Sequence, residues 1–445
     1  MELVGLLDSA DPARPLLMAH GRIVSAGEFA GDVLRLAAVL PRGAHLNNLC
    51  ERRHDFLRAY CAALVRGQSS LMPPSRAPEV VEELLAAHPG SYRCDDELVE
   101  RACAGTDSAA SRIADPHALK VPAAHVAERA FTSGTTGPPR AHVKRWGSFR
   151  ASTRLNAARM REWLHDYGRA RPWIVATVPP QHMYGTETSV LLPLLADMAV
   201  HAGRPLFPAD VAAALAEVPE PRVLVTTPVH LRTLVASGQS FPPIALVLSA
   251  TAPLDLELAR QVETSLPTRV LEMFGSTETC VIATRRTALG QPWHLYPGVS
   301  LRPEADGTRV EAPWFDAPTT LQDVIELEGE GRFSVRGRSI DMVEVAGKRA
   351  SLADLTRRLL AVPGVRDAAV FQPEERAHAG AAAVRRVAAL AVAPGCTAEE
   401  IGRQLARSID AAFMPRPLLI VEALPRNELG KLTRERLLAA LHPPP

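Results

Sequence analysis

Phe131-Thr132-Ser133-Gly134-Thr135-Thr136-Gly137-Pro138-Pro139-Arg140 gathers two glycines, four hydroxyl side chains and a closing cation into one short stretch. Gly134 and Gly137 let the backbone approach a ligand and adopt dihedrals closed to other residues. Ser133, Thr135 and Thr136 add hydroxyl donors, and successive backbone N–H groups in such a loop form a concave anion site. Arg140 supplies positive charge. The stretch lacks GxxxxGK[ST], so it is not a Walker loop. A polar Ser/Thr/Gly connection has the same composition, so the neighbours of the loop have to decide between the two.

Downstream the pattern is regular. A long helix is expected over 147–167. Strands at Trp173–Val178, Val223–Thr226, Ile244–Leu248 and Arg269–Met273 alternate with helices at 187–198, 229–236 and 254–265. The alternation predicts an α/β fold: a large N-terminal domain with mainly parallel sheets and flanking helices. Ligand loops of such sheets gather beyond the carboxyl ends of the strands. Thr177, Thr227, Ser249 and Phe274 stand at such ends and predict one shared site. Upstream, helical spacing runs over 28–40, 55–65 and 76–87, and 104–127 reads as a connection into the loop. From about residue 310 the texture changes. Gly329, Gly331, Gly337 and Gly347 mark turns between short strands. Capping boxes at Ser351–Asp354 and Thr397–Glu400 open helices, and 367–371 and 386–392 read as strands. A smaller, separate α+β C-terminal domain is expected.

The chain has 445 residues, more than one ordinary core holds. Its net charge of +1 offers no bulk electrostatic case for nucleic acid or an anionic membrane. Arg52-Arg53 and Arg285-Arg286 read as solvated surface. The cysteines, Cys50, Cys61, Cys94, Cys103, Cys280 and Cys396, form no CxxC pair, which argues for reduced thiols in a cytoplasmic enzyme and against a zinc site. The N-terminus has neither a basic region nor a long apolar run, so no signal peptide is expected. Val190–Val200 contains Asp197, is too short for a membrane span, and reads as a buried helix.

Four more segments carry chemistry. Phe274-Gly275-Ser276-Thr277-Glu278-Thr279 follows a strand and joins an aromatic, a turn glycine and a carboxylate suited to Mg²⁺; a helix cap is the alternative. Asp323 follows Leu321-Gln322, where a carboxylate can accept bonds from two hydroxyls; a turn aspartate is the alternative. Gly337-Arg338-Ser339-Ile340-Asp341 falls where the texture changes, as a hinge would. Leu424 to Arg434 places Lys431 on a glycine turn before a helix, where it can act as a far-reaching point charge or be a surface lysine.

In this order, from about 130 to 434, these segments resemble the adenylate-forming superfamily: acyl-CoA synthetases, aryl-acid ligases, peptide-synthetase adenylation domains and firefly-type luciferases. The resemblance implies ATP and Mg²⁺ as cofactors. It makes Thr132, Ser133, Gly134, Thr135, Thr136, Gly137 and Arg140 a phosphate loop, and Ala250, Thr251, Ala252 and Pro253 an adenine-side loop. Phe274, Gly275 and Ser276 then lead to Thr277 near the α-phosphate and Glu278 on Mg²⁺. Asp323 matches the ribose aspartate, Arg338 an arginine near ribose and hinge, and Lys431 the lysine that contacts α-phosphate and carboxylate. The implied division is 1–337 for ATP and the acid, 338–341 as hinge, and 342–445 as a mobile domain that carries Lys431. Gly347 would lie in the loop brought to the thiol. Three positions depart from the pattern: Arg140-Ala141 replaces Lys-Gly, Ala250-Thr251 replaces Gly-Gly, and Ile340 takes the hinge position usually held by Asp or Lys. The region before the loop is also short for the family.

Pro179-Pro180-Gln181-His182-Met183-Tyr184-Gly185 resembles the segment lining the acid pocket, with Thr227, Ser249, Cys280 and Ile282 as further lining. No aspartate stands ready for an α-amino group, so amino-acid activation is disfavoured. The compact N-domain and Gln181–Gly185 are similar to ligases of bacterial aryl-polyene pigment pathways, which load hydroxybenzoate-type acids onto an acyl carrier protein. The expected partners are a small carboxylic acid and a thiol acceptor, either coenzyme A or carrier phosphopantetheine, with no nucleic acid and no membrane span. A fatty or β-hydroxy acid is the alternative substrate, and a catalytically inactive nucleotide-binding regulator the alternative class.

Overall fold

The computed structural model describes residues 2–73, 76, 78–104, 113–132, 140–304, 307–338, 342–345, 348–373, 386–427, 430 and 432–441. The chain divides into two compact units, Met1–Ser300 with Glu311–Pro318, and Leu301–Val310 with Thr319–Pro445.

The first unit is built on two sheets. In one, parallel strands Val270–Ser276, Leu246–Ser249, Arg222–Thr226, Trp173–Ala176, Ala199–His201 and Pro15–Ala19 lie side by side in that order. Antiparallel Cys280–Arg285 and Trp293–Leu295 continue one side, and Arg22–Ser25 the other. Alternation sends successive side chains to opposite faces. Trp173, Val175, Leu224, Val247 and Val270 pack with Val211, Leu215, Leu231, Leu258 and Val262 from helices Pro208–Glu217, Pro228–Ala236 and Leu256–Ser265. Ile174, Ala176, Val223, Val225, Leu246 and Leu248 face the larger core, which they share with the second sheet. That sheet runs Ser91–Cys94, His45–Asn48, Ser69–Met72, Val126–Thr132 and Arg140–Arg145, parallel except for the last pair. Helix Ala26–Val39 begins at a capping box in which Ser25 accepts from the Glu28 N–H and Glu28 accepts from the Ser25 N–H.

The second unit centres on Asp367–Phe371, Ala388–Val392 and Leu418–Ile420. Ala368, Val370, Ala389 and Ala391 meet Leu355, Leu359, Ile401 and Leu405 from helices Leu352–Leu360 and Ala398–Leu405. The opposite face, Ala369, Phe371, Ala388 and Leu390, receives Leu437 and Leu441 of helix Arg434–Leu441. The Thr397–Glu400 capping box is formed.

Several expectations change. Val190–Val200 is not one helix. Met183–Gly185 is α-helical, Thr186–Leu191 is a π turn, and Leu192–Leu195 is α-helical again. The helix stops because Ala196 turns extended (φ −135°, ψ 166°), and Ala199–His201 joins the sheet. Residues 104–127 are not a plain connection: they contain Lys120–Pro122 and the start of Val126–Thr132. Arg53 is not solvated. It is 1% exposed, and its guanidinium donates to the carbonyls of Ala176 (3.1 Å), Val178 (2.8 Å), His201 (3.1 Å) and Gly203 (2.5 Å). Arg285 and Arg286 are half-buried and paired with Glu272 and Glu263, both at 2.7 Å.

Candidate active site

Two hairpins of the first unit frame the site. The strands Val126–Thr132 and Arg140–Arg145 pair antiparallel as a hairpin, with Thr132 opposite Arg140 on either side of the glycine-rich stretch. Ser133, Gly134, Thr135, Thr136 and Gly137 lie outside the described residues. The second hairpin pairs Val270–Ser276 with Cys280–Arg285 and turns at Thr277-Glu278-Thr279. No helix starts there. Instead the Ser276 hydroxyl accepts from the N–H groups of Glu278 (3.2 Å) and Thr279 (3.3 Å), and the Thr279 hydroxyl accepts from the Ser276 N–H (3.1 Å). Phe274 is therefore inside a strand rather than beyond its end, with its ring centroid 5.2 Å from that of Trp293.

The two hairpins meet at Glu278. Its carbonyl accepts from Lys144 Nζ at 2.5 Å, and its Oε1 lies 3.4 Å from His142 Nε2. Burial raises the pKa of Glu278, but the Ser276 hydroxyl, its own backbone N–H and the charges of His142 and Lys144 outweigh burial and hold it below the ordinary value. The tip thus presents an ionised, partly exposed carboxylate beside the glycine-rich hairpin. His142 and Lys144 did not figure among the predicted site residues. Their signal was the alternation in Arg140-Ala141-His142-Val143-Lys144, which puts both on one face of a strand.

Beneath the tip is a buried polar cluster. Glu187 accepts from the Ser152 hydroxyl (2.9 Å), the Asn156 amide (3.1 Å) and the Val281 N–H (2.9 Å), and Tyr296 donates to Asn156 at 2.8 Å. Glu128 is the register partner of Lys144 and is fully buried. Burial pushes its carboxyl up to about 8, against the pull of Lys144, and the Glu187 charge adds to the rise. A carboxyl raised in this way favours the folded state most at pH values below its unfolded pKa. That contribution declines as pH rises from about 4.5 and is gone once pH has passed about 8, because over that range the unfolded carboxyl is ionised while the folded one keeps its proton. Glu128→Gln is expected to flatten the fall in melting temperature between about pH 5 and pH 8, read by scanning calorimetry. An unchanged slope would show that Glu128 does not hold this proton.

The predicted acid-pocket residues fall into two groups. Met183, Tyr184 and Cys280 belong to the larger core, with Cys280 Sγ 3.9 Å from Met183 Sδ. Ile282 follows on the same strand and is fully buried. His182 is partly exposed just before the helical segment. The Tyr184 hydroxyl is buried and lies against the backbone of Thr226. Gly185 permits the turn: a Cβ there would stand 2.0 Å from the Pro179 carbonyl oxygen. Ser249, by contrast, lies on the face of Val247, in register with Thr226 and Glu272. Thr227 accepts from the His230 N–H (3.4 Å) as the cap of helix Pro228–Ala236.

Ala250 is buried after its strand, and Thr251 has φ +78°. A β-branched residue in that region is strained by roughly 1–2 kcal/mol; this is where a glycine would sit without strain. Past Pro253, the Leu254 N–H donates to Glu272 (2.9 Å), which also accepts from Arg285 (2.7 Å) and Thr287 (2.5 Å). In the second unit Asp323 and Arg338 are direct partners in the pair Asp323–Gly329 and Arg332–Arg338, and the Asp323 carbonyl accepts from the Thr308 hydroxyl at 2.6 Å. Ser339, Ile340, Asp341, Gly347 and Lys431 lie outside the described residues.

A family model described as AMP-binding enzyme matches residues 61–310. The chain belongs to the AMP-binding enzyme family. It is accordingly an enzyme of the AMP-forming, acyl-CoA synthetase-like kind with the adenylate-forming fold. It is similar to the 4-coumarate–CoA ligase of Rhodobacter capsulatus, 29% identical over 67% of this chain and 73% of that protein. It is also similar to the p-hydroxybenzoic acid–AMP ligase FadD22 of Mycobacterium marinum, 27% identical over 84% of this chain and 62% of that longer protein. In fold it matches the o-succinylbenzoate CoA synthetase MenE of Bacillus subtilis, solved with its acyl-adenylate (TM-score 0.78, 20% identity, 96% and 95% of the two chains). No helix among the described residues is long and apolar enough to cross a membrane.

Proposed function

We propose that this enzyme uses ATP to convert a small hydroxylated aromatic acid, of the hydroxybenzoate type, into its aryl-adenylate and then into a thioester. The observation that carries the reaction is the meeting of the glycine-rich hairpin with the Glu278 tip through His142 and Lys144. A carboxylate oxygen of the acid attacks the α-phosphorus, the bond to the bridging oxygen breaks, and pyrophosphate leaves. Charge concentrates on the phosphates, so oriented N–H groups and cations around the hairpin supply much of the acceleration. In the second step a thiol attacks the acyl carbon and AMP leaves.

Glu278 suits Mg²⁺. It is a hard oxygen donor, held ionised and partly exposed, and among the described residues no group of three His, Cys, Asp or Glu forms a protein cage. Mg²⁺ takes few protein ligands and completes its shell with phosphate oxygens and water. When bound, it supplies neutralisation of phosphate charge. Asp323 would hold the ribose hydroxyls and Lys431 the reacting carboxylate, with 338–341 as the hinge and Gly347 near the thiol.

His182, a partly exposed imidazole just before the helical segment, supports a hydroxyl-bearing acid, since it can exchange a hydrogen bond with a phenol. The named activities of the two sequence relatives, both on hydroxylated aryl acids or their derivatives, support it too. A panel assay of pyrophosphate release decides. Hydroxybenzoates are expected to exceed benzoate and medium-chain or β-hydroxy fatty acids by at least about tenfold. Preference for fatty acids would overturn the substrate class. ATP binding without release for any acid would turn the proposal toward a nucleotide-binding regulator. Thioester formed on a carrier protein but not on free coenzyme A would identify the acceptor.

A further inference from the structure

Lys144 is buried, 7% exposed, on the strand that leaves the glycine-rich hairpin. Burying an ammonium is costly unless charges and hydrogen bonds compensate it. Here Glu128 stands opposite it in the pair, and its charge acts on both Glu128 and Glu187. Offsetting the cost of two buried glutamates would be reason enough for a lysine. It would not require the ammonium to reach across to the other sheet, where it donates to the Glu278 carbonyl at 2.5 Å.

The tip it reaches is internally fixed. Ser276 and Thr279 define its shape, and Glu187 holds the Val281 N–H just behind it. Those bonds leave open where the tip stands relative to the glycine-rich hairpin. The Lys144 bond to the Glu278 backbone sets that relation, and His142 approaches the carboxylate of the same residue. We propose that Lys144 is a positioning residue: by tying the Glu278 carbonyl to the phosphate hairpin it aims the Glu278 carboxylate at the metal carried by the nucleotide. This rests on the reading above that Glu278 holds Mg²⁺.

The test compares binding of MgATP and of metal-free ATP to the full chain by titration calorimetry, with KM for MgATP and for the acid measured alongside. Lys144→Met is expected to weaken MgATP at least about tenfold, to change metal-free ATP less than about threefold, and to leave KM for the acid nearly unchanged. Lys144→Gln removes the charge but keeps a donor, and is expected to recover most of the MgATP affinity. A purely structural lysine predicts another pattern: a lowered melting temperature, with MgATP, metal-free ATP and acid affected alike. That pattern, or unchanged MgATP affinity in folded Lys144→Met, overturns the proposal. Should Lys144→Met fail to fold, Lys144→Gln decides by itself: equal losses for MgATP and metal-free ATP overturn the proposal, and a selective loss supports it. Glu278→Gln is the control on the underlying reading. If it leaves the preference for MgATP over metal-free ATP intact, the assignment of Glu278 to Mg²⁺ fails. If it abolishes that preference and Lys144→Met does not, only the role of Lys144 fails.

Discussion

Lys431→Ala is expected to slow adenylate formation by about 10²–10³-fold, the usual loss when one positioned charge or donor is removed from a developing anion. Thioester formation from supplied adenylate should stay within a few-fold of the wild type. The neighbours of Lys431 form a fixed platform. Gly430, at φ +73°, donates to the Asn427 carbonyl at 2.8 Å, and Arg426 pairs across the turn with Leu432. Arg426 also donates to the Gly430 carbonyl (3.1 Å) and holds Asp367 (2.9 Å) at the start of the edge strand Asp367–Phe371. Helix Arg434–Leu441 then anchors the segment on the sheet through Leu437 and Leu441. We propose that residues 342–445 rotate about 338–341 between the half-reactions, so that the lysine serves only the first of them. Rapid quench with ATP and acid measures the first rate, and synthetic aryl-adenylate with thiol measures the second. Equal losses in both would argue against alternation.

How much of this was legible depended on what each strand carries. Arg222–Thr226, Leu246–Ser249 and Val270–Met273 are short apolar runs between helical patterns, and their order gave the parallel sheet directly. Val126–Thr132 was not legible, because Glu128 and Arg129 interrupt it at the place where the fold buries a carboxylate. Arg53 was misread from its neighbour Arg52, although 53, 56, 57, 60 and 64 trace the buried stripe of helix Arg53–Val65. The motif residues were assigned from their order along the chain. What order could not give was the contact between two sheets that brings His142 and Lys144 to Glu278, since no local pattern encodes a partner in another hairpin. Glu187 carried a weak signal, a lone carboxylate in Thr186-Glu187-Thr188-Ser189 at the head of an apolar run, and such a group is buried only if its oxygens are satisfied.

Gly275→Ala is expected to lower kcat/KM for MgATP by about 10²-fold or more, and the melting temperature with it. A Cβ at this position would stand 2.1 Å from the Cys280 carbonyl oxygen, 2.7 Å from its carbon and 2.8 Å from Val281 Cα. All three are backbone atoms, so no rotamer change relieves the clash and the two strands have to part. They cannot part freely. The register already shifts between Phe274 and Gly275, Cys280 already takes φ +61°, and the Val281 N–H is held by Glu187. The displacement therefore passes to the free end of the hairpin, Thr277-Glu278-Thr279. Overpacking of this kind costs about 1–3 kcal/mol. Moving a phosphate- or metal-facing group by about 1 Å can cost 10²-fold in rate, so the kinetic effect should exceed the effect on stability. Gly290→Ala is the matched control. Gly290 lies in the first unit and, unlike Gly275, has positive φ (+66°), but a Cβ there meets nothing within 4 Å. It should lose stability through backbone strain alone and keep its MgATP affinity. If Gly275→Ala kept wild-type affinity for MgATP, or lost no more than Gly290→Ala, the geometry of the tip would not be what holds the nucleotide.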